Sequence, residues 1–225
     1  MAVKADFEYF NFVFSKGLVA GPVLEIGGRS WQGEAGNLES LCKELGIGWE
    51  SADIDAGPGV TYQLDILDQE ATRSIGRTWS TVAVFNLLEH VYNPILALEN
   101  ATELLEPGGI CIVAGPAIWQ LHQFPGDFWR PLPDFFIEFG RRNELDVSSD
   151  LMFWLVYGKI YPVSRFRSNH ELVLPSVDVS KSIYGAYKSL RSRILHRLFR
   201  TYGREMAFPY VGLGVVLKKR GLAQN

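Results

Sequence analysis

Short apolar runs alternate with amphipathic stretches through the first two thirds of the chain. The apolar runs predict five β-strands, which cover residues 23–26, 49–54, 60–64, 81–85 and 110–114. Between them, apolar side chains recur at helical spacing over residues 38–45 and 95–105. Strands that alternate with helices in this way are typical of βαβ units around a parallel sheet. The pattern therefore predicts an α/β fold.

Two of the predicted helices carry recognisable start and stop residues. Asn37 stands before the first apolar position of one helix as an N-cap, and Gly46 follows its last apolar position. Asn93 and Pro94 open the other helix, because a capping residue is followed by proline at the first helical position. The sequence Pro-Gly-Gly at 107–109 is predicted to end it.

The alternation stops after Gly115. Residues 116–136 contain prolines and aromatic residues too densely for a regular element, and they predict a structured loop. The remaining pattern predicts a short helix, a sixth strand, a basic helix and a final strand, at residues 134–142, 147–157, 181–200 and 210–218.

Composition is that of an ordinary globular protein. The 225 residues are 47% hydrophobic and 21% charged, and no apolar run approaches the ~20 residues of a membrane-spanning helix. The first 17 residues include Asp6 and Glu8 and lack a small-residue cleavage site, so they do not resemble a signal peptide. We therefore expect a cytoplasmic protein. Cys42 and Cys111 form no disulfide or metal-binding pattern and are predicted to lie in the core.

Charge is distributed unevenly along the chain. The segment from Lys181 to Arg204 contains seven Lys or Arg and no Asp or Glu, whereas the rest contains 15 basic and 25 acidic residues. The segment is either a helix with solvated arginines or a surface that attracts an anion, such as an anionic acceptor molecule or a membrane surface. Nucleic acid is not expected as a partner, because the acidic remainder would repel it.

Polar residues or glycines stand near the end of each of the five predicted strands or directly after it. A single carboxylate in such a place could cap the next helix. The series as a whole favours a ligand site, because ligands of α/β proteins bind where the carboxyl ends of parallel strands converge. Its members are Glu25, Gly27, Gly28, Asp53, Asp65, Asn86 and Gly115.

Five stretches, taken together and in this order, resemble the class I S-adenosylmethionine-dependent methyltransferases, especially the small "type 11" branch common in sugar and natural-product pathways. They are VLEIGG, SADIDAGPGV with LDILD, FNLLEHVYNP, LLEPGGICIVAGP and HQFPGDFWR, and they span Val23 to Arg130, a little under half of the chain. The resemblance implies an α/β, Rossmann-like, seven-stranded sheet with an antiparallel last strand, which YVGLGVVLKK would supply. A C-terminal insertion of helix and loop would act as a cap.

This resemblance also implies how a single domain over 1–225 is organised. Residues 1–22 would form an N-terminal helix and 23–115 the cofactor-binding core. Residues 116–205 would supply the acceptor-side loop and cap, and 206–220 the last strand.

The resemblance carries cofactor roles onto individual positions. The residues that would bind S-adenosyl-L-methionine are Glu25, Gly27, Gly28 and Arg29 after the first strand, Asp53 and Ile54 after the second, Asp65 and Ile66 after the third, and Asn86 and Leu87 after the fourth. Glu25, Gly27, Asn86 and Leu87 would line the methionine end. Asp53 would take the ribose hydroxyls, and Asp65 and Ile66 would flank the adenine.

The first loop departs from the glycine-rich turn usual in the family. Ten positions separate Gly27 from Asn37, and this gap is unlike the tight turn that presents a helix N-terminus to the pyrophosphate of a dinucleotide. We therefore predict a cofactor loop without a phosphate to bind, in which Arg29 or Ser30 holds the cofactor carboxylate.

Three residues are candidates for the base that deprotonates an acceptor. His122 and Asp127 lie in the loop after the fifth strand, and His90 follows the fourth. His122 is preferred. His90 could instead hydrogen bond the backbone at the start of the next helix, and Asp127 could instead form an ion pair with Arg130.

Some relatives bind magnesium through a Glu-x-x-Glu-His pattern at this place. Asn86 stands here where the first carboxylate would be, so we predict turnover without a metal ion. Binding of a divalent ion by Glu89, His90 and His122 is the alternative, although Mg²⁺ prefers an oxygen-rich shell.

Aromatic residues are dense in the region after the fifth strand. They would either form one wall of an acceptor site, since aromatic faces suit rings and sugars, or cover the core beneath a long loop. They are Trp119, Phe124, Phe128, Trp129, Phe135 and Phe136.

The predicted function is S-adenosylmethionine-dependent methylation, with a hydroxyl of a small molecule or glycan in a biosynthetic pathway as the preferred acceptor. Methylation of nitrogen or carbon is the nearest alternative. A protein that keeps the fold for binding without turnover is the alternative of another class. The irregular first loop favours this second alternative slightly, whereas Asp53 and Asp65 favour an enzyme.

Overall fold

The computed structural model describes residues 4–29, 37–121, 126–156, 158–163, 167–168, 171–172 and 210–221, with backbone only for 167–168 and 171–172. Five α-helices lie in these ranges: α1 (Lys4–Ser15), α2 (Leu38–Glu44), α3 (Gln69–Ser74), α4 (Pro94–Glu103) and α5 (Pro133–Arg142). Two 3₁₀ turns lie at Leu88–His90 and Ser149–Leu151.

The described residues form eleven strands. They are β1 (Val23–Ile26), β2 (Trp49–Asp53), β3 (Tyr62–Gln63), β4 (Trp79–Phe85), β5 (Leu105–Ile118), β6 (Leu145–Val147), β7 (Phe153–Val156), β8 (Lys159–Pro162), β9 (Arg167–Ser168), β10 (Glu171–Leu172) and β11 (Val211–Lys219). The short strands β9 and β10 pair only with each other, and the other nine form one sheet.

The large sheet is mixed. Its order is β3-β2-β1-β4-β5-β11-β7-β8, and β6 also pairs with β11. The five strands from β3 to β5 run parallel, whereas β11 is antiparallel to β5, β6 and β7. The predicted α/β architecture with an antiparallel last strand is therefore confirmed. The sheet has nine strands in the described ranges where seven were predicted, because β6 and β8 add short antiparallel pairings.

Apolar side chains from the helices cover both faces of this sheet. On one face, α4 and α5 contribute Leu98, Phe136 and Phe139 to a core that includes Leu24 and Val84. The other face packs against α1 and α2. Their buried side chains are Ala5, Tyr9, Phe10, Val13, Leu38 and Cys42.

Helix α1 fits closely against the sheet. The Tyr9 hydroxyl donates to the Leu151 carbonyl at 2.6 Å. A Cβ added at Gly214 would lie 2.6 Å from the Tyr9 ring, so glycine in β11 makes room for that ring. This packing brings the first turn of α1 beneath the carboxyl edge of the sheet.

Several predicted boundaries differ from the structure. The predicted N-terminal helix over 1–22 is helical at Lys4–Ser15. The predicted strand over 147–157 is interrupted, because the Ser148 hydroxyl accepts the Asp150 N–H and residues 149–151 form a 3₁₀ turn. Strand β3 has two residues where five were predicted. The predicted basic helix over 181–200 lies outside the described residues.

None of the helices in the described ranges is both long and apolar enough to cross a membrane.

Candidate active site

The strand order reverses between β1 and β4. From β1 the chain continues outward to β2 and β3, and from β4 it continues to β5 on the other side. Loops that leave β1 and β4 therefore diverge and open a crevice at their carboxyl ends, which is the usual ligand position in such sheets. The predicted site residues that the structure describes lie at the ends of strands β1 to β5 or in the loops that follow them.

The turn after β1 requires its two glycines. Gly27 has a φ of +81°, in the left-handed region that favours glycine. A Cβ added at Gly27 would lie 3.2 Å from the Leu87 side chain, and one at Gly28 would lie 2.8 Å from that of Ser51. The Gly27 N–H donates to the Ala52 carbonyl at 2.7 Å. These contacts bring the turns after β1 and β4 together at the crevice.

Glu25 is a partly buried carboxyl inside β1. Trp49 donates its indole N–H to Glu25 Oε2 at 2.9 Å, which favours the ionised form. Burial has the larger effect and raises the pKa of Glu25 to about 7. The carboxyl therefore titrates near neutrality and responds to a cation placed beside it.

Asp53 receives two backbone hydrogen bonds at the end of β2. Its Oδ2 accepts the Arg29 N–H at 3.3 Å, and its Oδ1 accepts the Asp55 N–H at 3.0 Å. The Arg29 guanidinium pairs with the Asp55 carboxylate at 3.0 Å. Asp53 thus joins the loops after β1 and β2, whereas the Arg29 side chain is paired with Asp55 in the loop after β2. A contact of Arg29 with the cofactor carboxylate stays a prediction, and Ser30 lies outside the described residues.

Ile54 and the two predicted adenine residues, Asp65 and Ile66, divide into exposed and buried side chains. Ile54 is 60% exposed beside Asp53, although it is a large apolar residue. Asp65 is also exposed, and its Oδ1 accepts the Leu67 N–H at 2.9 Å. The Ile66 side chain is buried in the core, so this residue can offer a ligand only its backbone.

Asn86 adopts an unusual backbone conformation directly after β4. Its φ of +48° lies in the left-handed region, which few residues other than glycine occupy. Its N–H donates to the Ala114 carbonyl at 2.8 Å, and its side-chain Nδ2 donates to Asp6 Oδ2 at 2.7 Å. Leu87 follows and contacts the Gly27 turn.

The 3₁₀ turn that follows carries Glu89 and His90. The Glu89 side chain is 2% exposed, and desolvation raises its pKa. The His90 ring is held by Nδ1 at the Gly126 carbonyl, 2.5 Å away, and Nε2 lies 3.8 Å from Glu89 Oε1. Because a carbonyl only accepts, this contact places the ring proton on Nδ1. His90 thus contacts the backbone of the loop after β5 and not, as weighed from the sequence, the backbone at the start of the next helix.

Asp127 forms a bidentate ion pair with Arg130. The Asp127 side chain is 2% exposed and that of Arg130 is 22% exposed. The Phe128 N–H donates to the Glu89 carbonyl at 2.7 Å, which attaches the loop to the turn at 88–90. The ion pair expected as the alternative role of Asp127 is thus present. Its role as a base stays a prediction, and His122 lies outside the described residues.

The aromatic residues after β5 fall into two groups. Phe135 packs edge to face with both Trp129 and Phe136, and Phe136 is buried in the core. Phe128 is 57% exposed, and Trp119 is half-buried. Phe124 lies outside the described residues. The first group packs over the core, whereas the rings of the second are partly exposed, and a contact with an acceptor stays a prediction.

Among the described residues, no group of three or more His, Cys, Asp or Glu side chains is arranged to hold a metal ion. His122, one of the three ligands weighed from the sequence, lies outside these residues. Turnover without a metal ion therefore stays a prediction.

Two residues that the sequence analysis did not single out for the site lie at this edge. Asp6 from α1 is fully buried, and Tyr210 precedes β11 with its hydroxyl 3.5 Å from Asn86 Oδ1. The Tyr210 ring also packs edge to face against Trp119, with centroids 5.2 Å apart. Burial, followed by the charges of Asp6 and Glu89, raises the pKa of Tyr210 well above its usual value.

Comparisons with known proteins identify the fold. Over 96% of this chain, the structure matches an S-adenosylmethionine-dependent methyltransferase from Archaeoglobus fulgidus, with 94% of that chain covered, 15% identity and a TM-score of 0.54. The chain has the class I methyltransferase fold. The fold implied by the sequence resemblance is therefore confirmed.

Two further matches have the methyltransferase fold. The carbon methyltransferase CurJ matches 96% of this chain, with 54% of its own chain covered, 13% identity and a TM-score of 0.52. A provisionally assigned sarcosine dimethylglycine methyltransferase from Galdieria sulphuraria also matches 96% of this chain, with 86% of its own covered, 9% identity and a TM-score of 0.53. At these identities the likeness shows the fold alone.

No protein-family model matches the sequence, and no curated protein matches it either.

Proposed function

We propose that this protein is an S-adenosylmethionine-dependent methyltransferase that methylates a hydroxyl of a small molecule or sugar in a biosynthetic pathway. The observation that carries the proposal is the set of groups at the carboxyl edge of a methyltransferase fold. Glu25 and Asp53 provide carboxylates there, and Gly27 and Leu87 form the contact between the diverging loops.

The chemistry of these groups fits the cofactor. Glu25 lies partly buried with a pKa of about 7, so a sulfonium or ammonium ion beside it would favour its ionised form. Asp53 accepts one backbone N–H on each oxygen, and each oxygen keeps capacity to accept a ribose hydroxyl. Ile54 offers an exposed apolar surface next to that carboxylate, which suits the face of a purine.

When bound, S-adenosylmethionine supplies a methyl group already activated by the sulfonium, so positioning of the acceptor can provide much of the acceleration. The residues of this chain would then hold the acceptor and take its proton. His122 is proposed as the base because it belongs to the loop that follows β5. Trp119 and Phe128 would contact the acceptor, since their rings remain partly exposed at this edge.

The basic segment from Lys181 to Arg204 supports an anionic acceptor such as a phosphorylated or nucleotide-linked sugar. This segment lies outside the described residues, and the proposal rests on its charge alone.

Substitution of Asp53 tests the cofactor assignment. Titration calorimetry with S-adenosylmethionine, S-adenosylhomocysteine and NAD should show binding of the two adenosyl ligands and none of the dinucleotide. Asp53→Ala should weaken adenosyl binding by about tenfold or more, because hydrogen bonds to a charged group contribute about 1.5–3 kcal/mol each. Asp55→Ala is the matched control, since that carboxylate is 69% exposed and should change the affinity by less than about threefold. Unchanged affinity in Asp53→Ala would contradict the ribose assignment.

A further inference from the structure

A buried polar cluster joins three distant parts of the chain beneath the candidate site. Asp6 in α1 is fully buried and accepts the Asn86 Nδ2–H at 2.7 Å. The Tyr210 hydroxyl lies 3.5 Å from Asn86 Oδ1 and also hydrogen bonds the Asp6 side chain. Asn86 therefore lies between a helix at one end of the sequence and the last strand at the other.

The contact with Asp6 determines which way the Asn86 amide points. A carboxylate only accepts hydrogen bonds, so the group that faces Asp6 must be the NH₂ of the amide. The carbonyl oxygen Oδ1 is then the other polar atom of the amide, and the Tyr210 hydroxyl lies within reach of both this oxygen and Asp6. Since burial and nearby carboxylates raise the pKa of Tyr210, its hydroxyl keeps its proton and remains a donor.

The backbone of Asn86 also depends on its surroundings. Its φ of +48° lies in the left-handed region, which asparagine adopts more readily than most residues with a side chain, and neighbouring groups hold it there. Here the N–H is held by the Ala114 carbonyl and the side chain by Asp6. The next residue, Leu87, lies against Gly27 at the start of the first loop. The Asp6 contact thus acts on the turn that faces the proposed methionine end of the cofactor.

We propose that Asp6 is a positioning residue for cofactor binding, because its hydrogen bond to Asn86 holds the Asn86-Leu87 turn against the Gly27 loop. This inference rests on the proposed function. It assigns α1 a part in ligand binding, in addition to its packing on the sheet. It also implies that α1 docking and cofactor binding support each other, since coupling between two sites is reciprocal.

Exchange of the two polar side chains tests the hydrogen bond itself. Asn86→Asp places two carboxylates face to face, so affinity for S-adenosylhomocysteine at pH 8 should fall by about tenfold or more. Part of that loss should be recovered at low pH, where the pair retains a proton. The double variant Asp6→Asn/Asn86→Asp lets an amide donate to a carboxylate again and should bind several-fold more tightly than Asn86→Asp alone.

A control variant separates positioning from helix packing. Tyr9→Phe removes the hydrogen bond from α1 to the Leu151 carbonyl and leaves Asp6 in place. It should lower the melting temperature while changing the affinity for S-adenosylhomocysteine by less than about twofold. Asp6→Ala should instead weaken that affinity by about tenfold, because the turn at Asn86 loses its anchor.

The outcomes distinguish this inference from the proposed function. If the wild type does not bind S-adenosylhomocysteine, the proposed function fails. If the wild type binds and Asn86→Asp binds equally well, or if the double variant stays as weak as Asn86→Asp, the inference is overturned. An equal loss of affinity in Tyr9→Phe and Asp6→Ala would also overturn it, since Asp6 would then act only through helix packing. If Asp6→Ala does not fold, the nearly isosteric variants Asn86→Asp and Asp6→Asn/Asn86→Asp decide whether the inference holds.

Discussion

At the scale of single residues, burial raises the pKa of Glu25 into a range where a neighbouring cation would change its ionisation. The Trp49 N–H stabilises its ionised form, but loss of hydration outweighs this contact, and the pKa rises to about 7. A cationic ligand would reverse much of this shift, because the ionised carboxylate is the form that attracts it.

This raised pKa predicts a pH dependence of cofactor binding. Below about pH 7 Glu25 is mainly protonated in the free protein, and binding of S-adenosylhomocysteine, which carries an ammonium group, should release a proton. Affinity should therefore rise by about tenfold between pH 6 and pH 8, in keeping with 1.4 kcal/mol per pKa unit. Calorimetry in buffers of different ionisation enthalpy measures the proton release directly.

The control for this effect is Glu25→Gln, which keeps the shape of the side chain and removes its titration. Any pH dependence left in that variant belongs to the ligand or to other groups. If the wild type and Glu25→Gln show the same pH dependence, a cation does not bind beside Glu25.

Sequence position explains which site residues could be predicted. Glu25, Asp53 and Asn86 lie at or directly after strand ends, and strand ends can be located from apolar runs. Asp6 and Tyr210 could not be found in that way. They are separated from Asn86 by 80 and 124 positions, and local spacing contains no information about such contacts.

At the scale of elements, apolar runs and capping residues predicted the strands and helices whose ends they mark. The first strand and the helix after Asn37 agree with the structure, and Asn37 accepts the Ser40 N–H at 2.8 Å as an N-cap does. Helix α3 was missed, because it has six residues and buries only Thr72 of them, too little for an apolar period. Strand β8 was missed as well, since its four residues form an edge strand with mixed exposure.

The loop after β5 leads to a prediction that separates a catalytic residue from a structural one. Residues 126–130 are attached to the turn at 88–90 by one backbone hydrogen bond and by the His90 ring, and Asp127 is buried in its ion pair with Arg130. His122→Ala should lower kcat by about 100-fold or more while cofactor affinity holds, as expected for loss of a general base. Asp127→Asn should instead lower the melting temperature, because it leaves the Arg130 charge without its carboxylate.

Measurements of turnover and of thermal unfolding distinguish the two variants. The control for the ion pair is the double variant Asp127→Asn/Arg130→Gln. The double variant should be less destabilised than the sum of the two single changes. If His122→Ala turns over normally and Asp127→Asn is inactive but stable, the carboxylate is the base. Normal turnover in both would contradict an acceptor hydroxyl that needs a base.

At the scale of the molecule, the proposed cofactor residues come from elements that belong to different parts of the core. Gly27 follows β1, Asp53 ends β2 and Asn86 follows β4, while Asp6 extends the set to α1 on one face of the sheet. A ligand that binds these residues together binds only the folded chain. Ligand binding should therefore stabilise the whole fold and not one loop.

This linkage gives a prediction for thermal unfolding. At 100 times its dissociation constant, a ligand stabilises the folded state by about 2.7 kcal/mol. For a domain of this size that corresponds to a rise of roughly 5–10 °C in the melting temperature. S-adenosylhomocysteine should produce this rise in the wild type, whereas NAD at the same concentration should produce none. Asp53→Ala should show little of the rise at the concentration used for the wild type.

The same measurement examines the role of a metal ion. The described residues at the carboxyl edge provide carboxylates, backbone groups and apolar surface for the cofactor, and no group of three metal ligands is found among them. Because Asn86 stands where magnesium-binding relatives have the first carboxylate of their pattern, the rise in melting temperature with S-adenosylhomocysteine should persist after exhaustive chelation with EDTA, and turnover should need no added ion. If chelation abolishes the rise, and Mg²⁺ or Mn²⁺ restores it, a metal ion takes part in the site. Glu89, His90 and His122 would then be its first candidate ligands.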